Sequence, residues 1–301
     1  MYGKILVPLD GSSFAEFALP MAGIVAAKAG GELDLVMVQD PVPPLAVGEL
    51  DNAPDPWRKE YLSAVLDRMK REVAGKADFT LRIGRMPDEL ADVVAESEAD
   101  LLVMATHGRG PLSRFWLGSV ADHMVRHASC PVLLVRPSEE EEPQLARKPR
   151  LRRILVPLDG STGAEAILKH AFALGDPFDA AYTLLRVVHY PAEIVSSYLP
   201  DTVRISEEVV EQGEKEARRY LEELSGRLKD EGHDVDTMVR VDIHPAPSIL
   251  RVAREVDADV VALATHGRGG VRRTLLGSVA DKLIRSAHLP TLVYRPADME
   301  G

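Results

Sequence analysis

KILVPLDGS at residues 4–12 returns as RILVPLDGS at residues 153–161, and this pair decides how the chain is read. Each copy is a short apolar run ending in proline, followed by an aspartate, a glycine and a serine. The run reads as a buried strand, and Asp-Gly-Ser as the turn that leads into a helix. A second repeat lies further on. THGRGPLSRFWLGSVAD at 106–122 returns as THGRGGVRRTLLGSVAD at 265–281, and 106–126 matches 265–285 at 13 of 21 positions. The first pair is offset by 149 residues and the second by 159. The chain is therefore a duplication. Its second copy gained about ten residues between these landmarks, expected in the helix around Val203 to Asp230.

Outward from the first strand, each copy alternates strands and helices. In copy one, Lys4 to Pro8 is a strand and Ser13 to Ala29 a helix. Ser13 stands three before Glu16, a capping-box spacing, as Thr162 does before Glu165. ELDLVMV (32–38) is a strand, Pro56 to Gly75 a helix and DFTLRI (78–83) a strand. Asp88 to Ser97 is a helix, LLVMA (101–105) a strand, Gly118 to Ala128 a helix and PVLLV (131–135) the fifth strand. Strands separated by helices imply an α/β fold: a parallel sheet covered on both faces, with right-handed crossovers. SEEEEPQLARKPRLR (138–152) is charged, contains two prolines and lacks an apolar period, so it reads as a linker. The expected domains are 1–137 and 153–296.

Composition narrows the function. In 301 residues, 47 acidic side chains outweigh 36 basic ones for a net charge of −11. That argues against a general nucleic-acid binder, whose affinity comes from releasing phosphate counterions. A small anionic ligand in a locally positive pocket stays allowed. The single cysteine, Cys130, permits no intrachain disulfide and reads as a packed thiol. No apolar run approaches the roughly 20 residues of a membrane helix, and MYGKILVPLDGSS lacks the apolar core of a signal peptide. The expectation is a soluble, cytoplasmic protein without a membrane partner.

Open parallel sheets bind ligands at the carboxyl ends of their strands, where the strand order reverses. The THGRG segment leaves the fourth strand at that edge and enters a helix beginning near Ser119, or Ser278 in copy two. Ser119 and Asp122 again have capping-box spacing. A helix N-terminus offers unpaired N–H groups and a partial positive charge, and so receives anions. The glycines let backbone approach phosphate. Arg109, Arg114, Arg268, Arg272 and Arg273 make the loop locally basic. Glycine loops with a serine are also ordinary structural features, and duplication preserves both kinds. Other chemistry is missing. There is no G-x-x-x-x-G-K-[ST], no G-x-G-x-x-G, no G-x-S-x-G elbow, and no convincing set of nucleophile, base and orienter. His107 and His266 lack metal-spaced neighbours and read as loop-orienting residues. Asp10 and Asp159 at the same edge either start the following turn or accept hydrogen bonds from a ligand's amino or hydroxyl groups.

With ILVPLDGS opening both halves and THGRG…LGSVAD near both ends, the chain resembles a tandem universal stress protein over nearly all its length outside the linker. The ATP-binding branch of that family carries G-x-x-G-x9-G-[ST]. The corresponding residues are Ala105, Gly108, Gly118 and Ser119 in copy one and Ala264, Gly267, Gly277 and Ser278 in copy two. Nine residues separate the two glycines in each copy. The departure is alanine at the first position in both: it costs affinity if that backbone must be left-handed or touch phosphate, and little if it is an ordinary strand end.

The resemblance implies a five-stranded sheet in the order 3-2-1-4-5 in each domain and an ATP, ADP or AMP site in each. In copy one that site would use Pro8, Leu9, Asp10, Val38, Met104, Ala105, Thr106, His107, Gly108, Arg109, Gly118, Ser119 and Val120. In copy two it would use Pro157, Leu158, Asp159, Val187, Leu263, Ala264, Thr265, His266, Gly267, Arg268, Gly277, Ser278 and Val279. The aspartates would meet the adenine or ribose, the valines the adenine edge through their backbone, and the glycines and serine the phosphates. Mg²⁺ would be held through phosphate oxygens rather than protein side chains. The two domains are expected to pair through their fifth strands, and two chains to form a homodimer. The implied function is a nucleotide-dependent regulatory module of the stress response. A slow ATPase and a nucleotide-free assembly protein are the alternatives. The proline-rich loop 40–57 and its unlike counterpart 189–201 read as surface connections or as nucleotide lids.

Overall fold

The computed structural model describes residues 1–41, 55–72, 75–106, 117–137, 143, 149–189, 200–265 and 276–296. His107, Gly108, Arg109 and Arg114, and His266, Gly267, Arg268, Arg272 and Arg273, lie outside the described residues. So do most of the linker and of the two loops. The chain divides into unit 1, Met1–Arg150 with His288–Arg295, and unit 2, Leu151–Ala287 with Pro296–Gly301.

In unit 1 the strands are β1 (Lys4–Pro8), β2 (Glu32–Gln39), β3 (Ala77–Ile83), β4 (Leu101–Ala105) and β5 (Val132–Val135). They lie in the order β3-β2-β1-β4-β5 and pair in parallel. This is the order expected of the fold. The central strands are apolar throughout, and Ile5, Leu6, Val7, Leu101, Leu102 and Val103 are fully buried. Such continuous runs need apolar cover on both faces. The helices α1 (Ser13–Glu16), α2 (Leu19–Ala29), α3 (Pro56–Glu72), α4 (Met86–Glu96) and α5 (Ser119–His127) connect them. Beyond β5 lies β10 (Thr291–Tyr294), antiparallel, with Leu292 opposite Leu133 and both fully buried. An apolar edge of this kind invites a partner strand, and the pairing of the two fifth strands occurs here.

Unit 2 repeats the plan with β6 (Arg153–Pro157), β7 (Ala181–Val188), β8 (Val235–Val241) and β9 (Val260–Ala264), in the order β9-β6-β7-β8 and parallel. Its helices are α6 (Thr162–Glu165), α7 (Leu168–Gly175), α8 (Pro200–Asp230), α9 (Pro245–Glu255) and α10 (Ser278–Ser286). The extra residues of the second copy fall in α8, as expected. It has 31 residues where α3 has 17.

Two local expectations change. The helix expected over 13–29 breaks between Glu16 and Leu19, where Phe17 and Ala18 donate to carbonyls three residues back. Unit 2 breaks at the same place, with Lys169 where unit 1 has Pro20, so proline alone does not cause it. The capping residue is also one earlier than expected. Ser12 and Ser161 cap, accepting from the Ala15 and Ala164 N–H groups at 3.3 and 3.1 Å. Ser13 and Thr162 are already helical. The reason is the preceding aspartate. Asp10 Oδ1 accepts from both the N–H (2.9 Å) and the hydroxyl (2.5 Å) of Ser12, and Asp159 does the same for Ser161 at 3.0 and 2.6 Å. The turn between them requires Gly11 and Gly160 at φ 80° and 78°, which glycine adopts without steric cost.

Candidate functional site

Both units bring two turns to the carboxyl ends of their strands. The first turn follows β1 or β6. Leu9 N–H donates to Val36 O and Leu158 N–H to Leu185 O, each at 2.8 Å. These bonds lock the turn against the second strand and place Asp10 or Asp159 at the edge. The second turn rejoins the sheet at a glycine: Gly118 N–H donates to Thr106 O at 2.8 Å, and Gly277 N–H to Thr265 O at 2.9 Å. A helix starts immediately after each. Gly118 and Gly277 are the N-caps, and as glycines they bring no side chain to close the helix start.

The capping box expected of Ser119 and Asp122 does not form. Ser119 is the first helical residue, and Asp122 turns to Arg126 one helical turn on, at 2.8 Å; Asp281 and Arg285 repeat this at 2.9 Å. With the carboxylate engaged there, the first-turn N–H groups keep their positive end of the helix dipole toward the edge. The two alanines that replace the motif's first glycine are the last residues of β4 and β9. Neither is among the positive-φ residues, Glu98, Asp179 and Asp257. A methyl group there is that of an ordinary strand end.

In unit 2 these turns enclose a cavity of about 1310 Å³. Pro157, Leu158, Asp159, Val187, Leu263, Ala264, Thr265, Gly277, Ser278 and Val279 all line it. These are all the described residues singled out in the second copy. In unit 1 the corresponding Pro8, Leu9, Asp10, Val38, Met104, Ala105, Thr106, Gly118, Ser119 and Val120 occupy the matching strand ends and helix start. Pro8, Leu9, Val38, Met104, Ala105 and Thr106 are buried, and Ser119 is exposed.

Several lining residues were not picked out beforehand. α8 contributes Val209, Gly213, Glu216, Ala217 and Tyr220. Its middle turns, from Val209 to Tyr220, thus line the cavity. Tyr220 donates to Glu165 at 2.9 Å. Unit 1 has the same pair, Tyr61 donating to Glu16 at 3.0 Å, with Arg68 adding an ion pair at 2.7 Å. The repeat itself carried a signal for these residues, since Glu16/Glu165 and Tyr61/Tyr220 share its two offsets. Arg186 on β7 also faces the cavity and donates to Leu158 O at 3.2 Å.

One edge of the cavity supplies amide N–H groups and a serine hydroxyl, and the other a carboxylate held by its own turn. Among the described residues, no group of three or more His, Cys, Asp or Glu side chains gathers to hold a metal ion. No helix among the described residues is long and apolar enough to cross a membrane.

The universal stress protein family model matches residues 1–136 and again 150–295. The chain belongs to the universal stress protein family. A universal stress protein of Mycobacterium tuberculosis is 31% identical over 203 residues, which cover 67% of this chain and 64% of that protein. The chain thus spans a little under two thirds of that relative. A second universal stress protein of the same organism is 28% identical over 97% of this chain and 94% of its own length. Among solved structures, a universal stress protein from Archaeoglobus fulgidus covers 97% of this chain and 98% of its own, with a TM-score of 0.66 at 19% identity. That likeness concerns the fold.

Proposed function

We propose that this universal stress protein is an adenine-nucleotide-binding regulatory module, with ATP as the ligand of a site in each half. One observation carries the reading. The described residues expected at the second-copy site, drawn from segments more than a hundred positions apart, line a single cavity beside a helix start whose glycine N-cap offers no side chain. A polyanion is the ligand that such a start favours. The ordinary backbone at Ala105 and Ala264 supports the reading, since the alanines there occupy no left-handed conformation.

In this reading Asp159 receives hydrogen bonds from the ribose or adenine, the Val187 backbone meets the adenine edge, and Gly277, Ser278 and Val279 receive the phosphates. Asp10, Val38, Gly118, Ser119 and Val120 do the same in unit 1. Mg²⁺ accompanies the phosphates. Occupancy rather than hydrolysis is the output, read as a change in stability or in assembly into a homodimer.

Isothermal titration of the full chain with ATP, with and without Mg²⁺, tests this. Binding is expected under at least one condition, and retained nucleotide in native mass spectra of the purified protein. Absence of heat in both titrations together with nucleotide-free mass spectra rejects the proposal.

A further inference from the structure

The two halves differ in charge where their cavity walls correspond. β1 and β6 align their second strands in the same register, with Pro8 beside Val36 and Pro157 beside Leu185. The next residue of the second strand is Met37 in unit 1 and Arg186 in unit 2. Met37 is fully buried. Arg186 is partly exposed, faces the cavity, and donates to the carbonyl of Leu158, the residue before Asp159. To the same lining α10 contributes Lys282. Its counterpart on α5 is His123, which burial and the neighbouring His127 push toward the neutral form.

Among the described residues, the unit 2 cavity therefore has a permanent cation on each of two lining elements, β7 and α10. Lys282 stands one turn after the glycine-capped helix start, and Arg186 stands beside the carboxylate at the first turn. Asp159 and Glu216 are the acidic groups lining the same space. Asp159 is already committed through Oδ1 to Ser161. A ligand with one anionic end meets only one of the two cations. A ligand with anions at both ends meets both, and the cavity of about 1310 Å³ exceeds what a mononucleotide-sized ligand needs.

Deepening the nucleotide reading on which it rests, we infer that unit 2 selects an adenylate carrying a second anionic group on its ribose. In this assignment Arg186 is the specificity-determining residue and the 5′-phosphate lies at the α10 start. Unit 1, with Met37 at that position, takes nucleotides without the second anion. A nearby arginine is a known physical solution for a ribose phosphate, because the planar guanidinium holds phosphate oxygens bidentately.

The test compares adenosine 3′,5′-bisphosphate, adenosine 2′,5′-bisphosphate and AMP by titration calorimetry on the full chain. At least one bisphosphate is expected to bind about ten- to a hundred-fold more tightly than AMP, the worth of a charge-assisted hydrogen bond, at one equivalent per chain. Arg186→Met, which installs the side chain unit 1 already has there, brings the ratio of bisphosphate to AMP affinity to within about twofold of one. Arg186→Lys, which keeps the charge and loses the fork, leaves an intermediate ratio. Equal affinities in the unaltered chain, two equivalent bisphosphate sites, or an unchanged ratio in Arg186→Met would each overturn the inference while leaving the nucleotide reading intact. Absence of binding by AMP, ATP and both bisphosphates removes that reading and this one together. The comparison on the unaltered chain decides the matter even if a variant folds poorly.

Discussion

A methyl group on Gly277 would stand 2.9 Å from the Thr265 carbonyl oxygen, the same oxygen that accepts the Gly277 N–H. The helix start can be this close to the sheet only because no side chain intervenes. Gly277→Ala must displace one of the two chains and is expected to destabilise unit 2 by about 1–3 kcal/mol, measured by urea unfolding. It should also weaken nucleotide binding through loss of position alone. His170 on α7 is a residue through which pH acts on unit 2. Burial brings its pKa from 6.5 down to about 4, so the folded chain holds it neutral while the unfolded chain protonates it. Stability is intact above pH 6.5 and declines as pH falls from there toward 4. Unit 1 has buried Met21 at the corresponding position, so His170→Met should flatten the urea midpoint against pH in that window. Asp34 in unit 1 has the opposite sign. Burial raises its pKa, and it recovers stability as pH falls. Glycine and alanine of the motif were readable as letters; that one is a close approach and the other an ordinary strand end depends on carbonyls far away in sequence.

At the scale of elements, the helices that follow the first strands show how a local rule is overridden. Capping-box spacing pointed to Ser13 and Thr162, yet Asp10 and Asp159 pull the preceding serines into the cap. The freed glutamates turn across to the third helix of each half. Glu16 is paired with Tyr61 and, at 2.7 Å, with Arg68; its side chain is 11% exposed. Removing Arg68 leaves a nearly buried carboxylate short of a partner, so Arg68→Met is expected to cost about 1–3 kcal/mol in urea unfolding. The corresponding Arg227 lies 3.8 Å from Glu165 and is 68% exposed. Arg227→Met should therefore cost less than about 1 kcal/mol. Equal effects of the two substitutions would show that the carboxylates are held by their tyrosines alone. The length of α8 was legible from the ten-residue difference between offsets. Its course over the cavity was not, because helical periodicity tells which face is apolar without telling what that face covers.

For the whole molecule, the consequence to test is how the last strand serves the first half. β10 seats Leu292 against Leu133 along the edge of β5. Deleting residues 290–301 would leave Val132, Leu133 and Leu134 at an open edge, a surface that pairs with other chains. The truncated protein is expected to associate in light scattering and to lose unit 1 stability, and Leu292→Asp should do likewise. A ligand acts in the other direction. ATP at a hundred times its dissociation constant should add about 2.7 kcal/mol to the stability of the unit that binds it, seen as a raised urea midpoint.

The alternation of strands and helices, the duplication, the parallel sheet and the motif that ends beside β4 and β9 were all determined by the sequence. Apolar periodicity and turn residues act over a few positions, and a repeat multiplies that signal. Which arginine looks into a cavity, where the glutamates pair and which edge β10 covers were decided only in the folded molecule. Each joins residues tens to hundreds of positions apart, and whether they meet depends on strand register and helix packing. No local pattern encodes those directly.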